Sequence, residues 1–318
     1  MAHYLVTGGC GFIGSHLCDA LLEQGNDVRI LDNLSSGHRE NAPAATELQI
    51  GDVADRVAVR EALKDIDGVF HLAAVASVEQ SNNDWVGTHV TNLSGCINVF
   101  DSARNLRGDG PIPVVYASSA AVYGLNENMP LVETDVAQPM TAYGADKYGC
   151  ELHARIASSI HGVPTVGLRF FNVYGPRQDP SSPYSGVISI FCERLMSGGP
   201  LSIYGDGEQV RDFIHVSDVV RMTMTAMTTP MAGGEVFNVC TGKATSVRQL
   251  ADVIADLCQV SADIIHRDPR SGDVRVSVGD PTRAFQQFGA RARMPLREGL
   301  KGTLAATAER KTLQLRYA

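Results

Sequence analysis

The sequence predicts an α/β fold, in which a doubly wound parallel sheet is followed by a smaller α/β C-terminal lobe. Short apolar segments alternate with segments of helical spacing over the first half of the chain. A glycine-rich loop joins the first of these strands to the first helix. Beyond residue 170 the alternation gives way to irregular stretches rich in glycine and proline. The 318 residues suffice for two unequal lobes.

The first strand–loop–helix–strand unit follows from the residue pattern. Leu17 and Leu21 have the spacing of one helix face, and Gly25 ends that helix. The unit comprises a strand over 4–7, a loop over 8–14, a helix over 15–24 and a strand over 28–31. Later strands are predicted over 47–50, 68–72 and 113–117, with helices over 58–64 and 92–105 between them.

The second half of the chain predicts a smaller lobe built from several insertions. Its elements are a helix over 188–196, a strand over 201–204, a loop over 205–209, a strand over 236–239 and a helix over 247–258. The strand over 236–239 is expected to return to the main sheet. We therefore predict one domain over 1–170, with a returning segment near 211–242, and a second domain over 171–318.

Bulk composition excludes several classes of function. The net charge is −8 without a long basic block, so no nucleic-acid partner is expected. No apolar run reaches the roughly 18 residues of a membrane span, and the N-terminus lacks the pattern of a secretion signal. Seven scattered cysteines, with no C-x-x-C pair, indicate reduced thiols of a cytoplasmic protein. The same pattern predicts neither a disulfide framework nor a metal site.

The glycine loop predicts a dinucleotide site. Gly8 permits the sharp turn out of the strand, Gly11 lets the backbone approach a pyrophosphate, and Gly14 lets the helix pack on the strand. The pyrophosphate is expected at the positive end of the helix. Asp32 ends the second strand, where a carboxylate accepts hydrogen bonds from an adenosine ribose and repels a 2′-phosphate. This Rossmann pattern predicts NAD in preference to NADP.

Two further strand ends carry candidate cofactor residues. Asp52 and Val53 follow the third strand, where the carboxylate is expected near the adenine amino group. An alternative role for Asp52 is to cap the next helix. The fourth strand ends at Leu72 and is followed by Ala73 and Ala74, whose small side chains let a cofactor pass close to the backbone. The alternative role for the two alanines is core packing.

Three residues are predicted to be catalytic. Tyr143 and Lys147 are four residues apart, so on a helix they share one face. A free tyrosine has a pKa near 10, and both a neighbouring ammonium and an oxidised nicotinamide favour its phenolate. Ser119 follows a predicted strand and is preferred to Ser118 for hydrogen bonding the same substrate hydroxyl. The alternative is an ordinary surface pair on a helix.

These motifs together resemble the extended short-chain dehydrogenase/reductases, and within them the UDP-hexose 4-epimerases that act on UDP-glucose and UDP-GlcNAc. The resemblance covers nearly the whole chain. Its matching segments are 7–14, 31–34, 118–124, 143–147, 169–177 and 210–216.

The resemblance implies further site residues. Additional contacts to NAD are implied for Phe12, Ile13, Asn33, Ser36, Gly37, Asn92 and Phe171. Contacts to a UDP-sugar are implied for Asn172, Gly186, Val187, Tyr204, Arg211, Arg270, Asp273 and Ser277. Among these, Asn172 and Arg211 would bind the diphosphate and Tyr204 would stack on uracil. Their alternative roles are a turn cap for Asn172, a surface salt bridge for Arg211 and a core position for Tyr204.

The reaction implied by the resemblance is inversion at C4 of a UDP-hexose through a 4-keto intermediate. Related dehydratases carry an acidic pair where this chain has Ala120 and Ala121, and alanine transfers no proton. Ser277 stands where the epimerases' C2 gate is expected, which favours acetylated as well as plain hexoses. Alternatives are another nucleotide-sugar enzyme (a glucuronate epimerase, decarboxylase, dehydratase or ketoreductase) or a non-catalytic NAD-sensing protein. The resemblance also implies a homodimer paired through 90–105 and 143–159.

Overall fold

The central feature of the fold is a seven-stranded parallel sheet. A computed structural model describes residues 1–104, 110–179, 186–230, 233–269 and 273–317. The strands are β1 (His3–Thr7), β2 (Asp27–Asp32), β3 (Glu47–Ile50), β4 (Gly68–His71), β5 (Val114–Ser119), β6 (Thr165–Phe170), β7 (Asn172–Tyr174), β8 (Leu201–Tyr204), β9 (Val210–Arg211), β10 (Phe213–His215), β11 (Glu235–Val239), β12 (Thr245–Ser246), β13 (Ile264–Arg267) and β14 (Val276–Ser277). The main sheet has the order β3-β2-β1-β4-β5-β6-β11. This confirms the predicted doubly wound Rossmann fold, whose strand order reverses between β1 and β4 and opens a crevice at the carboxyl ends.

Helices cover both faces of this sheet. The helices are α1 (Phe12–Glu23), α2 (Arg56–Ala62), α3 (Val78–Asn83), α4 (Trp85–His89), α5 (Gly95–Ser102), α6 (Ala142–His161), α7 (Val187–Met196), α8 (Val216–Thr228), α9 (Val247–Cys258), α10 (Thr282–Phe288) and α11 (Leu296–Tyr317). Successive strand residues point to opposite faces, so Leu5 packs with α2, α5 and α6 while Val6 packs with α1, α8 and α10. The two faces therefore have separate apolar cores.

The smaller lobe is built on short strands and its own apolar core. β7 pairs with β10, β8 pairs with β13, and β9 lies between β12 and β14. Its core comprises Tyr174, Ile188, Phe191, Cys192, Leu195, Leu201, Ile203, Phe213, Val247, Leu250, Ala251, Ile254, Ala255 and Leu300. β7 begins two residues after β6 ends, and the backbone amide of Asn172 on β7 donates to the carbonyl of Asp212, so this lobe adjoins the carboxyl end of β6.

The returning segment lies in the core of the larger lobe. β11 pairs in parallel with β6 at the edge of the main sheet. Ile214, Val219 and Phe237 pack in the same apolar cluster as Val6 and Leu17. The division of the chain into domains at residue 170 stays a prediction. Across the described ranges, no helix combines the length and apolar character needed to cross a membrane.

Several elements differ from the sequence-based expectations, among them the following three. The helix predicted over 92–105 begins as a π-helical turn, Val90–Ser94, and continues as α5 only to Ser102. The strand predicted over 113–117 extends to Ser119, which places both serines on β5 itself. α11 was not predicted, because its few apolar residues, Leu300 among them, are separated by alanine, threonine and charged residues.

Candidate active site

The glycine loop fits tightly between β1 and α1. Gly8 has a φ of +72°, and a Cβ atom there would lie 2.8 Å from the backbone nitrogen of Ala73. A Cβ atom at Gly14 would lie 2.1 Å from the carbonyl oxygen of Gly8. α1 begins at Phe12, and its N-cap residue Gly11 offers no side-chain cap, so the first amides of the helix are left for another acceptor. This arrangement fits the pyrophosphate of a dinucleotide.

Asp32 lies at the carboxyl end of β2 with its carboxylate held in place. One oxygen accepts a hydrogen bond from the amide of Cys10 at 2.9 Å, and the other accepts one from the amide of Leu34 at 2.8 Å. The residue is 7 % exposed. A carboxylate oxygen accepts more than one hydrogen bond, so both oxygens retain capacity for ribose hydroxyls.

The other residues predicted at the adenosine end surround this carboxylate. Asn33 donates from Nδ2 to Asp52 at 2.9 Å. The second oxygen of Asp52 accepts from the amide of Ala54, while the cap of α2 is Asp55. The helix-cap alternative for Asp52 is therefore wrong. A Cβ atom at Gly37 would lie 2.9 Å from Cys10.

The remaining residues that were predicted to contact the cofactor differ in their exposure to solvent. Ser36 is exposed and Leu72 is partly buried, whereas the side chain of Val53 is buried against Gly95. Ile13, in the first turn of α1, and Ala74, beyond β4, are partly buried.

His71, at the end of β4, links the first and fourth strands. Its Nδ1 lies 2.8 Å from Oγ1 of Thr7, and that hydroxyl accepts a hydrogen bond from the amide of Ala73 at 3.2 Å. Burial, and then the charge of Lys147, lowers the pKa of His71 to about 3. The imidazole is therefore neutral near pH 7 and fixes the turn that meets Gly8.

The catalytic candidates lie at the end of β5 and the start of α6. Thr141 caps α6, accepting from the amide of Gly144 at 3.0 Å, which places Tyr143 in the first turn. Lys147 is 4 % exposed and donates from Nζ to the carbonyl oxygen of Ala117 at 2.9 Å. The same Nζ lies 5.8 Å from the centre of the Tyr143 ring. A surface pair is therefore excluded for Lys147.

The two neighbouring serines have different environments. The hydroxyl of Ser118 is buried and donates to Oε1 of Glu151 at 2.6 Å. Ser119 is half-buried, and its Oγ accepts from the amide of Ala121 at 3.1 Å, which leaves its hydroxyl proton available. These contacts favour Ser119 over Ser118 for binding a substrate hydroxyl.

Asn92 and Phe171 are both buried cofactor candidates. Asn92, in the π-helical turn, accepts from the amide of Val75 at 2.8 Å and donates to its carbonyl at 3.1 Å. Its side chain thus holds the segment that follows β4. Phe171 is 5 % exposed, with its ring centre 6.3 Å from that of Tyr123.

The substrate candidates of the smaller lobe meet on β9 and β14. Arg211 forms an ion pair with Asp273, and Ser277 is the register partner of Arg211. Register partners on parallel strands project from the same face, so the side chains of Ser277 and Arg211 leave the sheet side by side. Burial lowers the pKa of Arg211, and the carboxylate of Asp273 opposes that shift. The surface salt-bridge alternative for Arg211 is only half right: the pair exists, but the Arg211 side chain is 14 % exposed.

Sequence reasoning missed Asp212, which organises the same strands. It is fully buried, and its carboxylate accepts hydrogen bonds from the amides of Thr241 and Gly242, both at 2.8 Å. Its own amide donates to the carbonyl of Ser277 at 3.0 Å. The sequence could have pointed to Asp212, since this residue directly follows Arg211 within the matching segment 210–216.

A cavity of about 830 Å³ adjoins these strands. Tyr204 is 39 % exposed, so the core alternative for this residue is wrong. The cavity is lined by Tyr204, Gly205, Asp206, Gln209, His266, Arg267, Pro269, Asp273, Val274 and Arg275. Asp206 and Arg275 form a two-bonded ion pair at 2.7 and 2.9 Å that joins two of its lining segments. Sequence reasoning did not find this pair, whose members are separated by 69 residues.

The other substrate candidates lie around the crevice. Asn172 is exposed on β7, and its backbone amide donates to the backbone carbonyl of Asp212 at 3.0 Å. Gly186 and Val187 form the start of α7. Arg270 lies outside the described residues. Among the residues that the structure does describe, no three His, Cys, Asp or Glu side chains form a group that could hold a metal ion.

Comparison with known proteins identifies the family. The profile of the NAD dependent epimerase/dehydratase family matches residues 4–240. The chain belongs to this family. A UDP-glucose 4-epimerase of Mycolicibacterium smegmatis is 37 % identical over 308 residues, which are 94 % of this chain and 96 % of that protein. A UDP-N-acetyl-alpha-D-glucosaminuronate decarboxylase of Bacillus cytotoxicus is 33 % identical over 272 residues, 82 % of each chain.

Solved structures of relatives have the same fold over their whole length. The UDP-glucose 4-epimerase of Thermotoga maritima, with UDP-glucose, has a TM-score of 0.92 at 37 % identity, covering 98 % of this chain and 99 % of that one. The UDP-N-acetylglucosamine 4-epimerase of Methanobrevibacter ruminantium, with UDP-N-acetylmuramic acid, has a TM-score of 0.92 at 36 %, covering 97 % and 99 %. The UDP-glucose 4-epimerase of Thermus thermophilus, with NAD, has a TM-score of 0.89 at 34 %, covering 96 % and 99 %.

Family membership and the glycine loop agree on the cofactor. This member of the NAD dependent epimerase/dehydratase family is an NAD-dependent nucleotide-sugar enzyme. The crowded glycines, the uncapped start of α1 and the carboxylate of Asp32 suit the dinucleotide. The prediction of NAD is confirmed.

Proposed function

We propose that the chain is a UDP-hexose 4-epimerase. The observation that carries the proposal is the position of Ser119, Tyr143 and Lys147 at one end of the crevice, with Ala120 and Ala121 where a dehydratase needs an acid. Inversion at C4 requires one group that removes a proton and returns it. It requires no third acid or base.

The smaller lobe is proposed to hold the UDP moiety. Arg211 presents a partly buried planar guanidinium, which suits the oxygens of a diphosphate, and Asn172 lies on the neighbouring crevice wall. Tyr204 offers an exposed ring in the cavity for stacking on the base, and Asp273 offers a carboxylate for the ribose. Binding through the diphosphate leaves the hexose free to turn.

The proton chemistry is assigned to residues of β5 and α6. When bound, NAD supplies a nicotinamide that accepts a hydride and later returns it. Tyr143 as a phenolate removes the proton from the sugar O4 and becomes a neutral phenol. The neighbouring ammonium of Lys147 stabilises the negative charge that the phenol oxygen carries before this step and again after the proton is returned. Ser119 hydrogen bonds the same O4. The sugar becomes a 4-keto species and turns about its diphosphate link, so that the opposite face of C4 would receive the returning hydride while Tyr143 returns the proton to O4.

Other chemistries of the family are less well supported by these residues. Ala120 and Ala121 have no ionisable group, so elimination of water by the family's acid pair is not available. The 33 % identity to a decarboxylase still makes decarboxylation of a uronic acid the second candidate within the family. A non-catalytic NAD sensor would not need the buried Lys147–Ala117 hydrogen bond beside a tyrosine.

The substrate range is proposed to include acetylated sugars. Ser277 lies beside Arg211 on β14, and its side chain is short enough to leave room for an acetamido group at C2. We therefore propose interconversion of UDP-GlcNAc with UDP-GalNAc alongside UDP-glucose with UDP-galactose. The solved epimerase from Methanobrevibacter ruminantium, named for UDP-N-acetylglucosamine, supports this range.

A homodimer is proposed as the working assembly. Leu152, Ile156 and Ile160 are 42 %, 48 % and 71 % exposed and follow one another every four residues along α6. Such a stripe on a helix surface is typical of an interface. Val90, at the start of the neighbouring π-helical turn, is also exposed. A cytoplasmic location remains a prediction from the cysteine pattern.

Product analysis tests the proposed reaction. The purified enzyme with NAD is incubated separately with UDP-glucose, UDP-GlcNAc and UDP-glucuronate. Conversion to an isomer of equal mass, with no net change in nicotinamide absorbance, is expected for the two hexoses. Release of carbon dioxide from UDP-glucuronate, with no isomer of any hexose, would replace the epimerase by the decarboxylase.

A further inference from the structure

A buried ion pair lies behind the proposed catalytic residues. Arg169 of β6 and Glu151 of α6 have side chains that are 2 % and 0 % exposed. The guanidinium donates from Nε to Oε1 at 2.8 Å and from Nη2 to Oε2 at 2.7 Å. Burial lowers the pKa of Arg169, but the Glu151 carboxylate outweighs that effect and raises it. Arg169 is therefore charged inside the protein, and both oxygens of Glu151 accept hydrogen bonds from it.

Folding stability alone does not account for this pair. Removing two charges from water costs as much as their attraction returns, so two well-packed apolar side chains stabilise a core equally well or better. The pair does provide direction, because a guanidinium and a carboxylate joined by two parallel hydrogen bonds have one relative orientation. A function that depends on orientation is the simplest reason for its presence.

The pair connects α6 to the ends of three strands. Oε1 of Glu151 also accepts the hydroxyl of Ser118 on β5, at 2.6 Å. Arg169 lies 4.7 Å from the centre of the Tyr123 ring, and the hydroxyl of Tyr123 donates to Asn238 on β11 at 2.6 Å. We call Ser118, Tyr123, Glu151, Arg169 and Asn238 the buried network.

The network adjoins the proposed catalytic groups. Tyr143, Lys147 and Glu151 are spaced by four residues and share one face of α6. Lys147 hydrogen bonds Ala117, and Glu151 hydrogen bonds the next residue, Ser118. One hydrogen bond would let α6 rotate about its contact with β5. Two hydrogen bonds, at successive residues of β5, fix both the rotation of α6 and its position along the strand.

We infer that Glu151 and Arg169 are positioning residues that hold Tyr143 and Lys147 at a set distance from Ser119. Neither touches the substrate; they act through α6 and β5. The inference rests on the proposed catalytic role of Tyr143. A displacement of about 1 Å at a reacting group costs about 100-fold in rate, so a loose α6 lowers turnover without preventing UDP-sugar binding.

The test replaces the ion pair by apolar side chains of similar length in one double variant, Glu151→Leu with Arg169→Met. We expect its melting temperature to stay within a few degrees of the parent. Its kcat should fall about 10- to 100-fold, while KM and the dissociation constant of NAD stay within about twofold. Val59→Ala, in the buried face of α2, is the matched control for lost packing and should keep the parental kcat.

A folded double variant with parental kcat overturns the inference. If the double variant does not fold, Ser118→Ala decides, because it removes only the hydroxyl that joins Glu151 to β5. A loss of several-fold in kcat with KM unchanged supports positioning; an unchanged kcat overturns it, and a loss beyond about 1000-fold assigns that hydroxyl to the substrate and also overturns it. Tyr143→Phe distinguishes failure of this inference from failure of the proposed function. If that variant keeps its turnover, the proposed function itself has failed.

Discussion

At the scale of single residues, the phenol of Tyr143 is the group on which the proposed chemistry depends. Tyr143→Phe removes the oxygen that carries the proton and leaves the ring, so the variant should fold and bind NAD. Its kcat should fall by about 100- to 10,000-fold, which is the range that general acid–base catalysis contributes. Turnover is measured with UDP-glucose, and NAD binding by titration. Tyr148→Phe, on a different face of α6, is the control.

Asp32 is the residue that selects between the two nicotinamide cofactors. Its carboxylate is held by the amides of Cys10 and Leu34, so it cannot turn away from a 2′-phosphate. The parent should therefore bind NAD at least about 100-fold more tightly than NADP, and Asp32→Asn should narrow that difference by removing the repulsion. Isothermal titration with both cofactors gives the ratio. Equal affinities in the parent would show that the carboxylate does not face the ribose.

Ser277 is the residue proposed to admit acetylated sugars. Ser277→Tyr should abolish turnover of UDP-GlcNAc and keep that of UDP-glucose within about tenfold, by steric exclusion of the acetamido group. Ser277→Ala, which keeps the space and removes the hydroxyl, should still accept both. Steady-state kinetics on both substrates measure the selectivity. An equal loss on both would mean that the residue supports β14 and does not select substrates.

At the scale of elements, the glycine loop determines how closely α1 approaches β1. A Cβ atom at Gly14 would lie 2.1 Å from the carbonyl of Gly8, and neither backbone segment can move without opening the cofactor site. Gly14→Ala should weaken NAD binding by at least about tenfold and lower the melting temperature. Gly302→Ala is the control, since a Cβ atom there has no neighbour within 4 Å. It lies in α11 and should stabilise the protein by about 0.5–1 kcal/mol.

An element could be predicted from the sequence when neighbouring residues determine it, and could not when contacts between distant segments determine it. β1, the glycine loop and α1 follow from adjacent residues, and the structure has them within a few positions of the prediction. The π-helical turn Val90–Ser94 arises from packing around Asn92, which no local spacing reveals. β9, β12 and β14 are two residues long and exist only because distant segments pair. Helices and strands with their own periodicity were therefore predictable, and the short strands of the smaller lobe were not.

The same distinction applies to the candidate site. Tyr143 and Lys147 were found because a spacing of four residues has a meaning on a helix. Glu151 was not, since its partner Arg169 reaches it only when β6 and α6 pack together. The signal for such a pair is a charged residue within an otherwise apolar strand, and Arg169 stands within Thr165–Phe170, which is buried throughout. An arginine in that setting requires a buried partner.

At the scale of the whole molecule, α6 uses one face to carry the proposed catalytic residues and the opposite face for the proposed dimer interface. One face carries Tyr143, Lys147 and Glu151 against the main sheet. The other carries the apolar stripe of Leu152, Ile156 and Ile160 towards solvent. A second copy covering that stripe would hold the catalytic helix from outside while the buried network holds it from inside. Assembly and turnover are thus expected to be linked through one helix.

The last prediction concerns that assembly. The parent should be a dimer at micromolar concentration by light scattering, because a stable interface buries about 1,200–2,000 Å² and the stripe lies on the solvent-facing side of α6. Ile156→Glu places a charge in the middle of the stripe and should give a monomer at the same concentration, with kcat reduced because α6 loses its outer support. Val57→Glu, which changes an exposed apolar residue on α2, should leave the dimer and kcat unchanged. A parent that is monomeric at micromolar concentration, or an Ile156→Glu variant that stays dimeric, would show that this face of α6 is not the interface.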